Sequence, residues 1–120
     1  MRNEIKIHEV FNSETVAAGS TATSDAIALG GRGGYFAIQE EITGDGTLKL
    51  EYLVSLDGEN FLEPSEADDI ATGQTKTSGP GSDGKDIISF EPALSPWIKI
   101  KATETGTSDS VTLTAYLAVQ

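Results

Sequence analysis

The 120-residue sequence contains no cysteine and only one histidine, His8. The lack of cysteine excludes disulfides, thiolate metal sites and a cysteine nucleophile, and it leaves the redox compartment undetermined. A single imidazole cannot complete a transition-metal site of the usual ligand number, and any Ser-His-Asp triad would depend on it. No G-x-S-x-G motif is present to place a serine nucleophile. The sequence therefore predicts a protein that is not an enzyme.

Basic residues are also scarce. Eight lysines and arginines face 19 aspartates and glutamates, which gives a net charge of −11. Such a field repels phosphate backbones and anionic lipids, so neither nucleic acid nor membrane is an expected partner. No apolar run approaches the roughly 18 to 20 residues that span a bilayer, and Met1–Glu4 lacks the apolar core of a secretory signal. We expect synthesis in the cytoplasm.

Two-residue alternation of polar and apolar side chains dominates what is present. It is clearest in Thr47–Gly58, Trp97–Lys101 and Val111–Leu117. Because successive side chains of a strand point to opposite faces, each run is typical of a half-buried antiparallel strand. The pattern predicts one all-β domain over residues 1–120, an antiparallel two-sheet β-sandwich of jelly-roll type with about seven or eight strands and no long helix.

The connections between these strands yield more local predictions. Tyr35–Thr43 and Thr47–Leu56 flank Gly44-Asp45-Gly46, a signal for a β-hairpin. Glu40 has the same parity as the apolar residues of its run, so we expect a β-bulge near it. A first strand is predicted from Glu4 to Phe11, and a short edge strand around Thr15–Ala18.

The segment from about residue 63 to 86 is rich in serine, threonine, glycine and aspartate. It is predicted to be a long irregular loop, because only Ile70 offers an apolar anchor. The two final strands are predicted at Trp97–Thr103 and Ser110–Val119. Two proline residues, Pro92 and Pro96, separate them from the preceding strand.

Aromatic residues at outward positions are the first candidates for a binding site. Trp97, Tyr35 and Tyr116 have the polar parity of their strands, where a ring serves a protein interface or stacks on a sugar, unless a loop or the second sheet covers it. Arg32 lies within Gly30–Gly34 and joins the interface candidates. That glycine cluster lacks the Lys-Ser/Thr ending and the following helix of a phosphate-binding loop.

Acidic loops supply a second set of candidates. Hard oxygen donors on loops suit Ca²⁺, although they lack the regular Asp-x-Asp-x-Asp-Gly spacing of an EF-hand and equally fit ordinary turns. No cofactor is required by the sequence, and paired carboxylates for glycoside hydrolysis are the weakest interpretation. The candidate calcium ligands are Asp57, Glu59, Asn60, Asp68 and Asp69.

Three segments, Tyr52–Phe61, Ser95–Thr107 and Val111–Gln120, carry a resemblance to a known class of proteins. The first contains a strand followed by an S-x-D-G-x-x-F corner, the second a Pro-Trp-Ile-Lys-Ile strand, and the third a threonine-rich strand. Together this pattern resembles small β-sandwich virion proteins of tailed bacteriophages, over roughly residues 35–120. The resemblance implies a capsid decoration (cement) protein, or a head-tail or tail accessory protein.

By the same resemblance, the chain would reside in the virion and bind the major capsid protein or other virion proteins. It would form a homo-oligomer, with a trimer favoured. The alternative is a carbohydrate-binding or receptor-binding module of a phage tail that uses Trp97, Tyr35 or Tyr116 as stacking platforms. Exposure of these rings together in one concave patch would favour that alternative.

Overall fold

A computed structural model describes residues 5–30, 34–93 and 95–120. Its regular secondary structure is entirely β within these ranges, and none of them contains a helix that could cross a membrane. The nine strands are β1 (Lys6–Val16), β2 (Thr21–Thr23), β3 (Ile27–Ala28), β4 (Phe36–Thr43), β5 (Leu48–Ser55), β6 (Ala71–Gln74), β7 (Lys85–Phe90), β8 (Trp97–Glu104) and β9 (Val111–Val119).

The strands form two antiparallel sheets. The first has the order β1-β9-β4-β7, and the second has the order β2-β8-β5-β6, with β3 also paired to β8. The pairs β1 with β9, β2 with β8, β4 with β7 and β5 with β6 are nested along the chain, as in a jelly roll. The predicted all-β sandwich is therefore confirmed.

The core lies between the two sheets. Alternate residues of the long strands point inward, and many of them have no solvent contact, including Ile38 on β4, Leu50 on β5, Ile100 on β8 and Leu117 on β9. Burying one such side chain contributes about 1.5–3 kcal/mol. The alternation seen in the sequence thus correctly identifies the inner faces of these strands.

The predicted hairpin between β4 and β5 is wrong. β4 pairs with β7 and β9 in the first sheet, whereas β5 pairs with β6 and β8 in the second. Residues 44–47 therefore cross between the sheets, and the apolar faces of the two strands belong to opposite sides of the core. Alternation shows that each strand has an apolar face, but it does not distinguish pairing within a sheet from packing across the core.

The predicted bulge at Glu40 is also wrong. β4 keeps an unbroken register with both neighbours, and Glu40 lies opposite Ala115 on β9 and Asp86 on β7. Its side chain stays on the inner face. The irregularities of the first sheet lie instead in the edge strand β1, between Glu9 and Phe11 and between Phe11 and Glu14. Bulges on an edge strand disfavour pairing with another chain.

The N-terminal strand differs from its prediction in length and in exposure. β1 runs through the predicted break to Val16, and the separate short strand is β2 rather than Thr15–Ala18; Glu4 lies outside the described residues. Ile7 lies opposite Ala118 on the outer face of the first sheet, whereas His8 lies opposite the inward Leu117. The face of this strand that carries Ile7 therefore points to solvent.

The segment from 63 to 86 is not wholly irregular, because β6 lies within it and β7 begins at Lys85. Ile70 is buried as expected of an anchor, and its N–H donates to the carbonyl of Leu50 at 2.8 Å. The remainder of the segment folds as turns. β6 is short and low in apolar residues, so its sequence carries little strand signal.

Candidate functional site

The outer face of the first sheet exposes several large apolar side chains. Cross-strand registers place Ile87, Gln39, Tyr116 and Glu9 in one row across β7, β4, β9 and β1. We call the exposed apolar residues on and beside this sheet the outer apolar face, which consists of Ile5 (62% exposed), Ile7 (67%), Tyr35 (73%), Ile87 (64%) and Tyr116 (37%).

A groove lies at one end of the outer apolar face. The adjacent row of the sheet carries the small residues Ser89, Ala37 and Ala118, and Tyr35 and Ile5 stand beside them. The groove has a volume of about 370 Å³ and is lined mainly by apolar atoms. Outward positions of an antiparallel sheet are usually polar. A groove with small residues at its base and large apolar residues at its sides is therefore unusual on this face.

Charged groups flank the outer apolar face. Glu9 follows Tyr116 in the same row, and Glu41 on β4 lies opposite Lys85 on β7. A hydrogen bond with Glu9 and the negative charge of that carboxylate raise the pKa of the Tyr116 hydroxyl, with a further contribution from Glu41. The face therefore has an apolar centre and a mostly acidic rim.

The aromatic candidates do not converge on one patch. Trp97 lies on the outer face of the second sheet, since its neighbour Ile98 points into the core. Its indole covers Gly58, where a Cβ would lie 3.2 Å from ring carbons. Tyr35 and Tyr116 belong to the opposite side of the sandwich, and Arg32 lies outside the described residues. The structure thus places two of the four interface candidates on the same face but not in contact, since Tyr116 lies opposite Gln39, four residues along the chain from Tyr35.

Asp57 organises the turn after β5. Its Oδ1 accepts hydrogen bonds from the N–H groups of Glu59 and Asn60, both at 2.9 Å, and from the Ser55 hydroxyl at 2.8 Å. Its Oδ2 accepts a bond from the Asn60 side-chain amide at 2.7 Å. These bonds hold the pKa of Asp57 well below its usual range. The S-x-D-G corner thus has a structural explanation.

Asp69 lies in a different acidic cluster, on the outer face of the second sheet. Carboxylate oxygens of Glu51, Glu63 and Asp69 lie within 4.8 Å of one another. Glu51 is only 7% exposed, and burial, followed by the neighbouring Glu63, raises its pKa. The ammonium groups of Lys49 and Lys101 lie 3.4 and 3.9 Å from its carboxylate.

These two lysines offset part of the negative charge that would attract a cation to the cluster. The calcium candidates of the sequence therefore occupy separate places, with Asp57, Glu59 and Asn60 in one turn and Asp69 in the cluster. Asp68 is exposed and adjacent to it. Sequence reasoning missed Glu51 as a neighbour of Asp69, because a covering loop is needed to bring them together.

His8 lines a small cavity at the open end of the sandwich, together with Lys6, Ala28, Leu29, Gly30 and Val119. None of these lining residues carries a carboxylate or a hydroxyl group. Within the described part of the chain, this cavity therefore gives the imidazole no partner for triad chemistry.

Glu104 is a buried residue that sequence reasoning missed. Its carboxylate accepts four backbone N–H bonds, from Gly19, Thr47, Gly106 and Thr107, at 2.7 to 2.9 Å. The available signal was its position, because Glu104 has the inward parity of Ile98 and Ile100 and comes directly before a glycine-containing loop. Its role is structural, since the carboxylate is saturated by donors from the chain itself.

No protein-family model matches this sequence, and no curated protein is significantly similar to it. A functional proposal therefore rests on the residues of the chain itself. Among those described, large exposed apolar side chains occur in two places, on the outer apolar face and at Leu56 and Leu62 beside the turn after β5; the outer apolar face has more of them.

Proposed function

We propose that this chain is a non-enzymatic structural protein of phage particles, most specifically a capsid decoration protein that binds assembled capsid subunits through its outer apolar face. The observation that carries the proposal is the exposure of Ile7, Ile87 and Tyr35 on one face of an otherwise acidic domain. The particular assignment to phage particles rests on the resemblance of residues 35–120 to virion proteins.

The size of the face fits a docking surface. Four strands of six to eleven residues, about 4.8 Å apart, give the whole outer surface of the first sheet an area of roughly 500 Å². A standard interface buries about 800 Å² on each partner, so a partner seated here also contacts the rim. Because that rim carries Glu9 and Glu41, the complementary surface has an apolar centre and basic flanks.

The charge of the chain favours a different protein over a second copy. Each copy carries a net charge of −11, so two acidic rims repel when they face each other. Capsid subunits with basic flanks do not incur this cost. Binding to the assembled lattice alone would stabilise that lattice by mass action. The homotrimer implied by the resemblance remains a separate prediction, and it would use other surfaces.

A jelly roll is compatible with this role, since such sandwiches occur in viral capsid and lectin domains. The fold alone does not choose between them. The carbohydrate-binding or receptor-binding alternative is supported by the shared location of Tyr35 and Tyr116. It loses the strongest stacking candidate, because Trp97 packs against Gly58 on the other side of the domain.

The proposal is tested with two preparations of phage particles, one released from cells that carry the gene and one from cells in which the gene has been deleted. Purified chain is added to the deleted particles, and bound protein is measured after co-sedimentation. The Ile7→Ser/Ile87→Ser double variant should keep its melting temperature and bind at least 10-fold more weakly. Leu62→Ser is the matched control, because Leu62 is 69% exposed on the second sheet's side.

Absence of the chain from wild-type particles, or equal binding by the double variant, would contradict the proposal. Light-scattering mass of the free chain reports the oligomeric state separately. The carbohydrate-binding alternative would be favoured if the chain bound a glycan array, lost this binding in Tyr35→Ala and kept it in the Ile7→Ser/Ile87→Ser variant.

A further inference from the structure

Glu40 is a carboxyl group inside the apolar core. Its side chain is 1% exposed, and neither carboxylate oxygen has a hydrogen-bond partner or solvent contact. It lies between the buried Ile38 and Ile42 on the inner face of β4, opposite Ala115 on β9. An ionised carboxylate in such surroundings is strongly disfavoured relative to the neutral acid.

The groups that face Glu40 supply acceptors rather than positive charge. Asp86 is its cross-strand partner on β7, and Asp86 Oδ1 accepts the N–H of Ile87 at 2.8 Å. In the second sheet, Gln74 on β6 pairs with the inward Leu48, and its Oε1 is also buried without a partner. β5 contributes the phenol of Tyr52 to the inner face and β9 contributes only apolar residues.

Two lysines lie near this edge. Lys85 lines the same cavity as Glu40, but it lies opposite Glu41, whose side chain is on the outer face. Lys76 follows β6, and its amino group contacts the carboxylate of Asp45 at the surface. No described side chain donates a hydrogen bond to either Glu40 oxygen. A carboxylic O–H group supplies the missing donor.

We propose that Glu40 binds a proton beside Asp86 inside the sandwich, and that loss of this proton as the solution becomes neutral loosens the edge formed by β6 and β7. A proton fits this place better than Ca²⁺, which takes six to eight oxygen ligands. Among the described inward-facing side chains of β4 and β7, Glu40 and Asp86 are the two that carry carboxylates. The inference is independent of the proposed particle-binding function.

Burial, and then the neighbouring Asp86 charge, raise the pKa of Glu40 from 4.5 to about 7. The folded chain therefore holds more protons than the unfolded chain between these two values. It follows that stability from this group is fully present below about pH 4.5 and falls as the pH rises to about 7, beyond which the loss levels off. Between pH 5 and pH 8.5 the unfolding equilibrium constant should rise on the order of 100-fold.

The test is chemical denaturation of the full chain from pH 5 to 8.5, compared among the wild type, Glu40→Gln and Glu41→Gln. Glu41 is the matched control because it is the next residue and faces solvent. Repulsion among the many acids also weakens the fold at high pH, so the difference between variants is the measured quantity. Glu41→Gln should keep the wild-type slope, whereas Glu40→Gln should lose most of it and be more stable at pH 8.5.

Two further measurements distinguish proton binding by Glu40 from simple burial of that residue. Asp86→Asn retains the acceptor for Ile87 but removes the neighbouring charge, so the midpoint of the pH dependence should move to lower pH. Hydrogen exchange of β7 amides, corrected for intrinsic rates, should accelerate at pH 8.5 in the wild type and not in Glu40→Gln. Glu40→Leu replaces the amide variant if that variant does not fold.

An unchanged slope in both Glu40 variants would overturn the proposal. Restoration of wild-type stability by Ca²⁺ at pH 8.5, absent in Glu40→Gln, would overturn it in favour of a metal site.

Discussion

Glu104 Oε2 accepts a hydrogen bond from the N–H of Thr47 at 2.9 Å, across 57 residues of sequence. The same carboxylate binds Gly19 after β1 and Gly106 after β8. These residues lie in three connections that each cross from one sheet to the other. One buried side chain therefore fastens three crossings at the same end of the sandwich, and the four donors lower its pKa to about 2.

We predict that Glu104→Gln lowers the melting temperature by roughly 10 °C, because an amide offers one acceptor oxygen and turns an N–H₂ toward backbone donors. Glu66→Gln, in an exposed loop, should change the melting temperature little.

The lowered pKa of Glu104 also makes the stability of the fold depend on pH. Stability from Glu104 is present above about pH 4.5 and is lost as the pH falls through 2.

Melting temperatures of the wild type and Glu104→Gln, plotted against pH between 2 and 5, should therefore converge as the pH falls. Parallel curves over the whole range would contradict the role assigned to the carboxylate.

Two glycines with similar backbone angles should respond very differently to alanine. Gly73 has φ +63° and open space around a Cβ, so Gly73→Ala should cost about 1 kcal/mol of unfolding free energy. Gly84 has φ +78°, and its Cβ would lie 2.5 Å from the carbonyl oxygen of Ile42. Gly84→Ala should therefore cost about 3 kcal/mol or more by urea denaturation. Equal costs would show that the β6–β7 connection is not held as described.

Trp97→Ala should destabilise the domain by about 2 kcal/mol, because the half-buried indole covers Gly58 and the turn that contains it. Denaturation followed by far-UV circular dichroism measures the loss, since the variant contains no tryptophan for fluorescence. Wild-type stability combined with lost binding to a glycan would instead indicate an exposed stacking role.

Glu9→Gln should lower the raised pKa of the Tyr116 hydroxyl, because it removes the negative charge that disfavours the phenolate. Alkaline titration by tyrosine absorbance measures the shift, with Tyr116→Phe used to subtract the other two tyrosines. Glu14→Gln, on the same strand, is the control. An unaltered titration would mean that Glu9 and Tyr116 do not interact in solution.

The sequence was sufficient to predict which side chains of β4, β5, β8 and β9 face the core, because alternation depends only on strand geometry. It was not sufficient to predict pairing. The Asp45-Gly46 turn connects two sheets here, and the same residues would also suit a hairpin. Glu40 and Glu104 share the inward parity but have different surroundings, one without partners and one with four donors. That difference is set by distant backbone that a local pattern does not contain.

The site was less predictable than the fold. Tyr35 and Tyr116 were recognisable from their outward parity, but the isoleucines beside them were not. Ile7 faces solvent because β1 pairs with β9 in a register that turns its isoleucines outward. Only the long-range register reveals which of two alternating faces a terminal strand presents.

The pairing of β1 with β9 has a consequence for synthesis on the ribosome. Among the described strands, β1 pairs within its own sheet with β9 alone, and β9 is made after the eight other described strands. The nascent segment therefore exposes Phe11, Val16 and an unpaired edge until β9 emerges, and closing so long a loop is slow. The bulges of β1 disfavour pairing with other chains during that interval.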